Sequence, residues 1–173
     1  MKNLIYTLIT GMIIVSCQAP VDNSAQLKYE QNAQTILDYL ASYQNESVDH
    51  AKFYADSAVI RATYFGAKKD SISLSELIKY DQKSFDGYDW KLVNGPIVLP
   101  GVDGQTKLPN GSVRYYGDWK VTKPGTDSTE AKSGVVKGYE SFDFNEEGKI
   151  VYQQFYGDAG SLFRYLNDTT ISL

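Results

Sequence analysis

The chain has 173 residues, a net charge of −4, 14 Tyr, one His and one Cys. An acidic balance without a basic cluster excludes a surface that tracks a phosphate backbone, so nucleic acid is not an expected partner. One His and one Cys supply neither a transition-metal ligand set nor an internal disulfide, and no cofactor is expected.

At the N-terminus, Lys2 precedes an apolar run over residues 4–15, interrupted by Tyr6, Thr7, Thr10 and Gly11. This is the layout of an export signal, too short for a hydrocarbon core that needs about 20 apolar residues. The run closes on Ile14-Val15-Ser16-Cys17, which resembles the bacterial lipobox. The resemblance implies removal of residues 1–16 as a signal peptide and attachment of membrane lipid, palmitate-type chains included, to Cys17. Residues 17–25 then form a polar tether and residues 26–173 one domain. The implied location is the cell envelope, and Gln18, where an aspartate retains some lipoproteins at the inner membrane, points to the outer membrane.

Residues 25–44 place Ala33, Ile36, Leu37, Leu40 and Tyr43 at helical spacing, which predicts one helix with a single buried stripe. Residues 48–54 suit a short second helix with Ala51 and Tyr54 inward, and residues 58–64 are β-branched enough for a strand. Ser73 stands three residues before Glu76 and ahead of Leu74, Leu77, Ile78 and Phe85. That is a capping box opening a helix, which Gly87 ends. The second half alternates with period two over residues 90–93, 112–122, 132–144 and 149–156, predicting four antiparallel strands. A polar loop is expected over residues 100–111, a tight hairpin at residues 145–148, and a helical turn over residues 161–166.

Helices followed by a bent antiparallel sheet make an α+β layout. The segment Phe142-Asp143-Phe144-Asn145-Glu146-Glu147-Gly148-Lys149-Ile150, then Tyr156-Gly157-Asp158 and Leu162, resembles the nuclear transport factor 2-like superfamily, in its SnoaL-like branch, over residues 25–166. The resemblance implies a cone-shaped sheet wrapped around the N-terminal helices and enclosing an apolar pocket. It also implies homodimers through the open sheet face. Members include isomerases, hydrolases and cyclases as well as proteins without catalysis, so the fold does not give the function.

Alternation sorts the strand faces. Val113, Tyr115, Trp119 and Val121 share the inward face, with Arg114, Tyr116, Asp118 and Lys120 outward. Val136, Glu140, Phe142 and Phe144 share parity, as do Ile150, Tyr152, Gln154, Tyr156 and Asp158. The resemblance favours the last set as inward. The expected pocket is therefore Tyr54, Tyr115, Trp119, Phe142, Phe144 and Tyr156, with Asp158 and Glu140 as candidate acid/base groups. A carboxyl group among aromatics has its charged form disfavoured, which suits proton transfer near neutral pH. SnoaL-like cyclases use an aspartate similar in place to Asp158, but the histidine they carry on the preceding strand is missing here.

Bland alternatives stand beside these roles. Asp158 also fits a cap on the last helix, and Glu140 also fits solvent or a pair with Lys137. His50 is expected at the surface, capped by Asp49, since adjacent helical residues do not face one another. Arg114 and Asp118, on the outward face, make a poor epoxide-hydrolase arrangement. The expected function is non-catalytic binding of a small apolar or aromatic ligand, or of an envelope protein. The alternative is a cofactor-free isomerase, hydrolase or cyclase using a pocket carboxylate.

Overall fold

The structure is a computed structural model that describes residues 23–61, 63 and 65–168. The lipobox, Cys17 and the signal segment lie outside the described residues. Among the described residues, no helix is long and apolar enough to cross a membrane.

Among the described residues, four helices and six strands follow one another as α1 (Ser24–Gln44), α2 (His50–Phe53), β1 (Tyr54–Arg61), β2 (Ser71–Ser73), α3 (Leu74–Gly87), β3 (Asp89–Val102), β4 (Pro109–Lys123), β5 (Lys132–Phe144), β6 (Ile150–Tyr156) and α4 (Ala159–Asn167). The strands form one sheet in the order β2-β1-β6-β5-β4-β3. All neighbours are antiparallel except β1 and β6, which run parallel. The α+β layout of helices against a bent, mostly antiparallel sheet is thus the observed one.

Helix α1 lies across β4 and β3 and buries Asn32, Ile36, Tyr39 and Leu40. The stripe is rotated from the predicted one: Leu37 is exposed, and Tyr39 takes the inward place. Two polar anchors fix the docking. Asn32 Nδ2 donates to the Gly111 carbonyl at 2.8 Å, and the Tyr29 hydroxyl to the Val98 carbonyl at 3.0 Å. Such bonds satisfy sheet groups that burial under a helix would otherwise orphan.

The capping box of α3 forms as the sequence indicates, with Ser73 Oγ accepting from Glu76 N and Glu76 Oε2 from Ser73 N. Lys69 Nζ lies 2.6 Å from the same Glu76 carboxylate, which these donors hold at about 2. The helix buries Leu74, Leu77 and Asp81, while Ile78 stays exposed. Helix α2 is shorter than expected, and its inward residues are His50 and Phe53 instead of Ala51. Tyr54 already belongs to β1.

Strand β3 runs well past the predicted residues 90–93, so the polar loop shrinks to residues 103–108. β3 is an edge strand paired only with β4, so it tolerates Pro96, which falls in a register shift, and Pro100, which sits opposite Val113 just before another. The β5–β6 hairpin turns on Gly148 at φ 74, a left-handed conformation that suits glycine.

Candidate functional site

The inward faces of β4 and β5 follow the alternation: Val113, Tyr115, Trp119, Val121, Val136, Glu140 and Phe142 are all buried. Strand β6 does not. Its ladder slips between Asp143 and Phe144, with Phe144 opposite Ile150 but Asp143 opposite Tyr152. Val151 is the extra residue of a bulge, which reverses the face of everything after it. Gln153, opposite Phe142, is buried and Phe155 is partly covered, whereas Tyr156 is 50% exposed.

The interior is not filled by its aromatics. A cavity of about 510 Å³ remains under the sheet, within the roughly 300–1,000 Å³ of small-molecule sites. Its walls are Tyr39, Leu40 and Tyr43 from α1, Leu77, Tyr80, Asp81, Lys83 and Ser84 from α3, and Trp90, Trp119, Val136, Glu140, Gln153 and Phe155 from the sheet. Tyr88, Ala159 and Phe163 complete it. Tyr80 and Lys83 are exposed and mark the mouth. Edge-to-face contacts hold the wall: Tyr43 packs on Phe85, Trp90 and Trp119 with centroids 4.9, 5.6 and 5.6 Å away.

Glu140 is 8% exposed. Gln153 Nε2 donates to its Oε2 at 2.6 Å, and the Tyr54 hydroxyl donates to Gln153 Oε1 at 2.7 Å. Burial pushes the Glu140 carboxyl up to about 7, the Gln153 bond pulls against it, and Asp81 adds to the rise. No cation pairs with Glu140 among the described residues, so the alternative of a Lys137 pair is not realised.

The sequence reading missed a second acid. Asp81, 6% exposed, accepts at Oδ2 from His50 Nε2 at 2.7 Å. Burial raises its pKa and His50 opposes that rise. His50 is therefore a buried partner of α3 instead of a surface residue, and Asp49 makes no side-chain cap. The available signal was Asp81 itself, four residues after Leu77 on the apolar face of a helix opened by a capping box.

Of the residues expected in the pocket, Trp119 and Glu140 line it. Tyr54 acts one step behind, through Gln153. Tyr115 and Phe142 are fully buried within the wall, and Phe144 is partly buried beside the core without reaching the cavity. Tyr156 and Asp158 lie outside it. Asp158 is exposed and accepts from Ser161 N at 3.1 Å, which caps α4, and hydrogen bonding from the Ser161 side chain and then its backbone lowers the Asp158 pKa. The bulge in β6 is the reason, since it leaves Gln153 and Phe155 facing the interior and puts Tyr156 and Asp158 on the other parity. Asp158 is thus the helix cap and does not face the cavity.

No group of three or more His, Cys, Asp and Glu able to hold a metal occurs among the described residues. The arrangement instead offers an aromatic slot with two carboxyl groups in its wall, suited to orienting a small apolar molecule and exchanging protons with it.

No family model matches the chain, and no curated protein matches it. Solved structures do. A protein provisionally named a polyketide cyclase, from Xanthomonas campestris pv. campestris, is similar with a TM-score of 0.61 at 14% identity, over 79% of this chain and 97% of that one. A provisionally named isomerase from Bacillus subtilis gives 0.59 at 12%, over 79% and 95%. A nuclear transport factor 2-like protein from Burkholderia xenovorans LB400 gives 0.57 at 14%, over 80% and 97%. At such identities the likeness speaks for architecture alone, and on that ground the chain has the nuclear transport factor 2-like fold.

Proposed function

We propose that this protein binds a small apolar or aromatic molecule in the cavity beneath its sheet while tethered to the bacterial envelope through Cys17. The observation that carries the reading is the open aromatic slot with buried Glu140 in its wall and, among the described residues, no cation paired with it. An uncompensated buried carboxyl group is costly, and a site shaped for a ligand gives that cost a purpose. The lipobox supports the tether, and the residue after Cys17 supports the outer membrane. A second copy of the chain is the partner we infer for the outer sheet face, which exposes Ile97, Leu99, Tyr116 and Val135.

Binding is tested with 2-naphthol and the full-length chain in detergent. Val136→Phe fills the slot and measures partition into micelles. Saturable one-to-one binding that Val136→Phe abolishes supports the reading; equal uptake by both proteins overturns it. Cys17→Ser should release the protein from membranes, and an undisturbed membrane fraction would overturn the tether.

A second reading, a cofactor-free enzyme acting by proton transfer, is favoured by Glu140 lying at about 7, where a group exchanges protons readily in both directions at neutral pH. It gains further support from neighbours named as a cyclase and an isomerase. Its test is deuterium exchange at the α-carbon of 2-tetralone. The wild type should accelerate exchange at least about 100-fold over Glu140→Gln, and equal rates would remove the enzyme reading.

A further inference from the structure

Glu140 and Asp81 are built alike. Each is more than nine-tenths buried, each lines the cavity, and each has one carboxyl oxygen tied by an interior donor: Gln153 Nε2 to Glu140 Oε2, His50 Nε2 to Asp81 Oδ2. The second oxygen of each has no hydrogen-bond partner among the described residues. Among those residues, the one sealed polar side-chain atom without a partner is the Tyr115 hydroxyl. The free oxygens of Glu140 and Asp81 are therefore not sealed, and the space they reach is the cavity.

The tying groups differ in kind. A neutral amide holds Glu140, so no cation among the described residues compensates its charge, and it is the better proton donor. An imidazole holds Asp81 and supports its charged form, so Asp81 is the better acceptor. We infer that Asp81 is a second ligand-contacting carboxylate, that His50 is its positioning residue, and that the ligand presents a hydrogen-bond donor to Asp81 and an acceptor to Glu140. The class of molecule this selects is a small apolar or aromatic compound bearing both a hydroxyl or N–H group and a carbonyl-type oxygen. A purely hydrocarbon ligand would leave both free oxygens desolvated and unpaired, which the cavity walls cannot repair.

This inference rests on the cavity reading, and two matched probes separate the failures. 2-Naphthol and 2-methoxynaphthalene share an apolar body, but only the first donates a hydrogen bond. The wild type should prefer 2-naphthol by about tenfold or more, the worth of one hydrogen bond to a charged group. Asp81→Asn keeps the shape and an oxygen for His50 but turns an amide toward the ligand, so the preference should vanish while 2-methoxynaphthalene still binds. His50 is the chain's sole histidine, so its ring nitrogen signals in a tag-free sample are unambiguous, and adding 2-naphthol to the wild type should shift them. That shift distinguishes positioning from a purely structural pair, and it stands even if Asp81→Asn fails to fold. Equal affinity for the two probes with unmoved ring signals overturns the role of Asp81 and leaves the cavity reading intact. Absence of binding by either probe overturns both.

Discussion

Glu140 and Phe155 face each other across β5 and β6, yet it is Gln153, one step diagonally away, that meets the Glu140 carboxyl. Diagonal neighbours on one face of an antiparallel pair lie within reach of long side chains. Parallel pairing of β1 with β6 then brings Tyr54 behind Gln153. Tyr54 donates to the amide oxygen, so the amide nitrogen must point at Glu140, and the relay has one orientation.

Glu140 should make stability fall with rising pH. Its folded-state pKa, about 7, lies above the ordinary glutamate value, so between the two the native state binds more protons than the unfolded chain. The contribution is fully present below about pH 4.5 and is lost as pH rises through about 7, worth on the order of 3 kcal/mol across that window. Urea melts at pH 5 and pH 8 should show this loss, and Glu140→Gln should reduce it. Asp81 is shifted in the same direction, so some slope will remain. A variant slope equal to that of the wild type would contradict the assignment.

Gln153→Leu removes the donor to Glu140 and leaves the Tyr54 hydroxyl without its acceptor. Two buried polar groups are then unsatisfied, at about 1–3 kcal/mol each. The Glu140 pKa should rise further, measurable as an upward move in the pH of the carboxyl titration followed by infrared difference spectra. Tyr54→Phe should cost less, because Gln153 still donates.

Asp158→Ala should lower the melting temperature modestly by uncapping α4 and leave 2-naphthol affinity unchanged. A loss of affinity without a loss of stability would return Asp158 to the site.

Tyr139 lies between Tyr116 and Tyr156 on the outer sheet face, with ring centroids 4.9 and 6.0 Å away. Sedimentation should give a dimer for the wild type and a monomer for Tyr139→Lys, at unchanged probe binding. A monomeric wild type would remove the second copy from this face.

The legible parts of the fold were those governed by local periodicity. Ser73 and Glu76 announce α3 because the capping box is contained within four residues, and Trp119, Glu140 and Phe142 sort correctly because β4 and β5 alternate without interruption over those residues. Alternation groups Tyr156 with Ile150 and the resemblance takes that set as inward, but the residue inserted at Val151, which period-two counting cannot show, puts Tyr156 outside. The His50–Asp81 pair joins residues 31 apart in the chain, a relationship that only tertiary packing of α2 and α3 on β1 creates. The long reach of β3 was hidden by its prolines, which local rules read as a loop and the paired edge tolerates.

The bulge at Val151 bears on how this architecture drifts in length. A lineage that lost one residue between Ile150 and Gln153 would straighten the strand and still present an amide and an aromatic ring to the same chamber. Loss of Gln154 would instead rotate Phe155 out and bring a tyrosine beneath Glu140. Chain-length change at one edge is therefore silent and at the other rewrites the chamber's chemistry, without a single substitution in either case.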